Sequence, residues 1–161
     1  MPKTCVAVVT FVLSTFAAAA VAQSPSVPIP SQFASAKSLF LGSGGAAILG
    51  SREKEATAML YSSASNALSS GSRYRLTGAP ADADLYAVIS IESFANVING
   101  NPPAPALIRL AVFDTKTHAL LWNIDEPVDG AIRKVTFQKS IEESMAKIVI
   151  DLDSLAAGKL P

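Results

Sequence analysis

Two sets of residues have types and spacings that could do chemistry. The first is "FLGSGGAAILGS" (40–51), where Gly42, Gly44 and Ala47 fit the G-x-G-x-x-G/A spacing of a dinucleotide fingerprint. In that motif the glycines let the backbone approach a pyrophosphate seated on the next helix N-terminus. Here the first helix-start signal is Ser51, several residues beyond Gly45, and Lys54 stands outside any G-K-[ST]. The acidic residue that should hold a ribose is also out of place, since "RYRLTGAPADAD" puts Asp82 too far along. The glycines therefore read as a flexible strand-to-helix connection, and no cofactor is expected.

The second set is His118 and the paired aspartates. His118 is the single histidine and falls in "TKTHAL", a turn context in which an imidazole is solvated. A triad would need a buried carboxylate behind it and a nucleophile on a rigid bend, and no G-x-S-x-G occurs. Asp82 with Asp84, and Asp151 with Asp153, come nearest to metal-binding pairs. The latter lie two apart on a helix and so point in different directions. Cys5 is the one cysteine and sits in the leader, so the mature chain offers no thiolate nucleophile and no cysteine metal ligand. No catalytic, cofactor-binding or metal-binding residue is assigned.

The leader is read from Lys3, the apolar run "CVAVVTFVLSTFAAAAVA" and small residues at Ala20 and Ala22. A basic start, a short apolar segment and an A-x-A site make a secretory signal over 1–22, cleaved before Gln23. Cys5 precedes the apolar segment, so it cannot be a lipidated first residue, and no membrane anchor is expected after cleavage. The expected location is periplasmic or secreted. With Lys3 removed, the 13 basic and 13 acidic residues leave the mature chain close to neutral with mixed charges, unlike a nucleic-acid binder.

The elements that must position any site follow in order. "QSPSVPIPSQ" (23–32) is an extended, proline-rich lead, and a single domain over 33–161 follows. "AKSLFLG" (36–42) is a buried first strand. A helix with Ser51 as N-cap and Gly71 as stop follows it, and "RYRLTG" (73–78) is a short strand. "DLYAVISIES" (84–93) alternates, with Leu85, Ala87, Ile89 and Ile91 on one side and Tyr86, Val88, Ser90 and Glu92 on the other. "NVINGNPPAP" (96–105) interrupts the sheet, and 106–126 is a hairpin turning at Asp114 to Thr117. The last helix starts between Thr136 and Ser140, with Ser140 and Glu143 matching a capping box, and stops at Gly158. Both helices have one apolar face, which predicts an α/β (α+β) two-layer sandwich: a mixed, largely antiparallel sheet of about five strands with both helices on one face.

If Leu85 and its partners face the helices, the other sheet face carries Tyr86, Val88, Arg109, Phe113 and Leu121. It is more apolar than a water-facing antiparallel sheet usually is. Either the proline loop or the N-terminal lead covers it, or it is a partner-binding surface with Tyr86 and Arg109 as anchors. The partner would be another envelope protein. The alternatives are a hydrolase acting on an envelope polymer and a carrier of a small apolar ligand between sheet and loop. At 7% of the chain, aromatic residues disfavour a sugar-stacking platform.

"YRLTGAPADADLYAVISI", followed by "LIRLAVFDTKTHALLWNIDEPV", resembles a group of uncharacterised exported bacterial proteins across about residues 28 to 158. The shared pattern is an A-D-A-D-L step into a strand, then a strand ending in D-x-x-T and a return through L-W. More loosely it is similar to the α/β domains of envelope accessory proteins: TolB amino-terminal domains, LpoB-type activators and the curli lipoprotein CsgG. The resemblance implies a binding or assembly module with two helices on one sheet face. The lipid-anchoring cysteine of LpoB and CsgG has no counterpart here, so membrane attachment does not carry over.

Overall fold

The computed structural model describes residues 27–47, 53–92, 106–128 and 134–161. The leader, the start of the lead, Ser51 and the proline loop lie outside the described residues. The elements are α1 (Gln32–Ser35), β1 (Ser38–Ala47), α2 (Glu53–Gly71), β2 (Arg75–Thr77), a 3-10 turn at Pro80–Asp82, β3 (Leu85–Glu92), β4 (Ala106–Asp114), β5 (Leu120–Val128) and α3 (Lys134–Ala156).

The strands form one five-stranded mixed sheet in the order β2-β1-β3-β4-β5. β1 runs parallel to both β2 and β3, and the antiparallel pairing is confined to β3, β4 and β5. The parallel arrangement follows from the long α2 crossover, which returns the chain to the same end of the sheet. α2 and α3 pack against each other, α2 over β1 and β3 and α3 over β5 and β4. This is the α+β two-layer sandwich.

Periodicity sets which side is buried. Leu85, Ala87, Ile89 and Ile91 on β3 and Ile108, Leu110 and Val112 on β4 are buried under the helices. From above, α2 supplies Leu60, Ala64 and Leu68, and α3 supplies Ile141, Met145, Ile148 and Leu152. Each large side chain fully removed from water contributes about 1.5–3 kcal/mol. Ile29 and Phe33 join this same core, and Tyr74 closes it by donating its hydroxyl to the Phe33 carbonyl at 2.8 Å. Burial pushes the Tyr74 hydroxyl up to about 12. Of the lead, Ile29 thus packs on this core, whereas Val27 is exposed.

Three local expectations change. β1 continues through Gly42, Gly44 and Gly45 to Ala47, so the glycines belong to a strand and not to a flexible connection. The last helix begins at Lys134, ahead of the expected window, because half-buried Phe137 already packs on the core. The Ser140/Glu143 pair consequently lies inside α3 rather than at its start. The C-terminal stop is at Gly158, whose φ of +73° permits a Schellman closure: Gly158 N–H donates to Leu155 and Lys159 N–H to Ser154.

Candidate functional site

The side of the sheet away from the helices is built from the alternate residues of the same strands. Tyr86, Val88, Ser90 and Glu92 from β3 lie opposite Phe113, Ala111, Arg109 and Leu107 from β4. Phe40 of β1 stands beside Tyr86 in the parallel register. Three rings therefore form a row: Phe40 to Tyr86 is 5.7 Å between centroids at 26°, and Tyr86 to Phe113 is 5.8 Å at 33°. Such offset pairs contribute about 0.5–1.5 kcal/mol each beyond area burial. All three are half-buried.

The glycines of β1 explain how the row lies. A Cβ built on Gly42 would stand 2.9 Å from both Tyr86 Cε2 and its hydroxyl oxygen. One built on Gly44 would stand 2.8 Å from Val88 Cγ1 and 3.1 Å from Ser90 Cβ. Tyr86 and Val88 lean across β1 into space that a side chain would fill, which is the usual reason for glycine inside a strand. Gly45, at φ +85°, sits where the β1–β3 register shifts.

Beyond the rings lies a charged cluster. Arg109 makes a two-pronged contact with Asp125, Nε to Oδ1 at 2.7 Å and Nη2 to Oδ2 at 2.9 Å, and Nη1 reaches Glu92 Oε1 at 3.0 Å. Its pKa is raised, chiefly by the hydrogen bond and charge of Asp125, then by Glu92. A partner engaging Arg109 through its charge would compete with two carboxylates already in place.

At the other end, Asp84 fastens the starts of β1 and β3. Its Oδ2 accepts from Lys37 N–H at 2.8 Å, Ser38 N–H at 3.1 Å and the Ser38 hydroxyl at 2.8 Å. These bonds, Lys37 first, hold its carboxyl below the usual range. The D-x-x-T sequence closes the hairpin: Asp114 Oδ1 accepts from Lys116 N–H, Thr117 N–H and the Thr117 hydroxyl. Thr115 ties that turn to the Ala83 and Asp84 carbonyls at 2.9 and 2.6 Å.

The sequence-predicted residues fall as follows. Tyr86, Val88, Arg109 and Phe113 share the sheet face away from the helices. Leu121 sits at a register shift between Val112 and Phe113, where Leu120 takes the place opposite Phe113; Leu121 itself packs against the core. His118 is exposed in the turn with φ +57°, and Asp153 accepts from Arg73 N–H at 3.2 Å. Among the described residues no group of three His, Cys, Asp or Glu side chains could hold a metal ion, and no helix is long and apolar enough to cross a membrane. Sequence reasoning missed Phe40, Gly42 and Gly44 as members of the face. The Leu39/Leu41 alternation around Phe40 was the available signal.

No family model matches the chain, and neither does any curated protein. Solved structures do. The PelC dodecamer from Paraburkholderia phytofirmans has a TM-score of 0.51 at 15% identity, covering 83% of this chain and 93% of that one. A single-substitution form of it in another crystal has a TM-score of 0.52 at 16% identity, covering 72% and 88%. The uncharacterized lipoprotein B from Nitrosomonas europaea has a TM-score of 0.45 at 9% identity, covering 84% and 94%. At these identities the PelC likeness is one of fold.

Proposed function

We propose that this chain is an exported module of the bacterial envelope that acts by protein–protein contact through the open sheet face. The observation that carries the reading is the Phe40–Tyr86–Phe113 row, half-buried on a side of the sheet that neither long helix covers. Contiguous apolar surface rimmed by charge is typical of interaction sites, and aromatic residues with Arg dominate their energetics. The secretory leader supports a periplasmic or secreted location. The resemblance to TolB, LpoB and CsgG domains supports an accessory role, and the PelC structures support use of this fold in assembly, since those molecules are dodecamers.

The test is photo-crosslinking in cells. A benzoylphenylalanine placed at Val88 should give a discrete protein adduct that disappears with Tyr86→Ala and Phe113→Ala. One placed at Ile150, on the outer side of α3 and 64% exposed, should not give it. Identical adducts from both positions, unaffected by the two alanines, would remove the open face from the function.

A further inference from the structure

The sheet face away from the helices has two chemically distinct zones on the same strands. Its apolar zone is the Phe40–Tyr86–Phe113 row, with Val88 and Ala111 beside it. Its charged zone is Arg109 with Glu92 and Asp125. Along β3 every second residue from Tyr86 to Glu92 keeps part of its surface, while Leu85, Ala87, Ile89 and Ile91 are buried. One ligand can therefore touch both zones at once.

The charged zone selects a sign. Two carboxylates share one guanidinium, so the cluster holds one negative charge in excess. Arg109 spends Nε, Nη1 and Nη2 on those carboxylates, whereas the Glu92 and Asp125 side chains stay 34% and 36% exposed. A carboxylate oxygen accepts more than one hydrogen bond, so an incoming cation adds to the cluster, while an incoming anion must first displace a carboxylate from Arg109. The spacing of the zones selects a shape. Tyr86 and Glu92 stand six residues apart on β3, about 20 Å at the rise of a strand. The other face of this sheet is covered by helices of 19 and 23 residues, α2 lying over β1 and β3. A helix laid along β3 from the outside would repeat that packing, and at about 1.5 Å per residue it bridges the two zones in about 13 residues.

We propose that the occupant of this face is an amphipathic helix of a partner protein, with an apolar stripe on the ring row and an Arg or Lys about 13 residues further along, set against Glu92 and Asp125. The inference rests on the contact role proposed for this face and adds the shape and the charge of what it contacts. The rings supply the buried anchor, and the carboxylates fix which end of the helix lies over which zone.

The probe is a fluorescein-labelled helical peptide of about 18 residues, the length that spans β3. It is built of Ala and Gln, with a four-leucine stripe toward one end and a single Arg about 13 residues beyond the first leucine. It should bind saturably by anisotropy, and binding should be lost when Tyr86→Ala and Phe113→Ala are combined. Replacing its Arg by Glu should weaken binding about tenfold. With far-ultraviolet circular dichroism unchanged, Glu92→Gln should erase that preference and Glu92→Lys should invert it. A nitroxide at the Arg end should broaden the amides of Ser90 and Asp125, and one at the leucine end those of Tyr86 and Phe113. The proposal is overturned by no saturation up to about 1 mM, by binding indifferent to the two alanines, by a charge preference unmoved at Glu92, or by broadening that does not follow the label. If the Val88 crosslinking adduct persists beside such a result, the contact role stands and only the helix and its cation are removed.

Discussion

Gly42→Ala sets a gain in strand propensity against a collision with Tyr86. The new Cβ would stand 2.9 Å from Tyr86 Cε2, 2.9 Å from its oxygen and 3.3 Å from Cζ. Carbon pairs are comfortable at about 3.5–4.0 Å, so the ring must retreat by roughly 0.6 Å or more. The atoms struck are the far end of the side chain, so the ring can swing rather than force the backbone. Leaving its rotamer costs about 0.5–1.5 kcal/mol, and part of the stacking on Phe40, about 0.5–1.5 kcal/mol in full, goes with it. Against this, removing glycine from a strand interior contributes about 0.5–1 kcal/mol. The net expectation is a loss of about 1 kcal/mol. In a Tyr86→Ala background nothing obstructs the Cβ, only the propensity gain remains, and Gly42→Ala should stabilise by about 0.5–1 kcal/mol. Urea denaturation followed by emission of Trp122, the single tryptophan, reads both. The double-mutant cycle should give a coupling of about 1–2 kcal/mol. An equal shift in both backgrounds would mean that Gly42 does not make room for Tyr86, and the physical account of the face would fail.

Gly44→Ala should cost more, about 2–3 kcal/mol, because its Cβ meets Ser90 Cβ at 3.1 Å and the Ile89 carbonyl at 3.4 Å, atoms that cannot swing away; the same urea series orders the two variants. Asp84 and Asp114 both have carboxyls held low by N–H and hydroxyl donors, led by Lys37 N–H for Asp84 and Thr117 N–H for Asp114. Their folded values lie below the unfolded value of about 3.9, so their stabilisation is full above that pH and is lost as pH falls through the folded values. The urea midpoint should therefore hold from neutral pH to about 5 and drop below about 4, with a shallower drop in Asp84→Asn. Arg109→Ala removes the cation that β4 holds between Glu92 of β3 and Asp125 of β5 and should destabilise by about 1 kcal/mol at low salt, less in 1 M salt. Gly158→Ala places a side chain at φ +73° and should lower stability by about 1 kcal/mol, with earlier fraying of α3 by amide exchange.

Much of the face was legible because strand periodicity is local. Leu85 to Glu92 alternates cleanly enough to sort Tyr86 and Val88 away from the core before any coordinates. The same logic placed Arg109 and Phe113 on that side, and the structure buries Ile108, Leu110 and Val112 on the other. Leu121 shows where that logic stops: a one-residue register shift puts Leu120 opposite Phe113, and nothing in the local pattern announces a bulge. The glycines were the larger error. Gly44 and Gly45 read as a connection because glycine is a poor strand former, yet β1 runs through them; at Gly42 and Gly44 the side-chain space is taken by Tyr86 and Val88, more than forty residues later.

By itself the sequence determined the two one-sided helices and the inward and outward residues of β3 and much of β4, since hydropathy and period depend on near neighbours alone. The tertiary structure decided the strand order, the parallel pairing of β1 with β3 that aligns Phe40, Tyr86 and Phe113, and the short three-residue pairing of β2 with β1. Those are contacts between segments distant in the chain, set by packing and backbone hydrogen bonding that no short window contains.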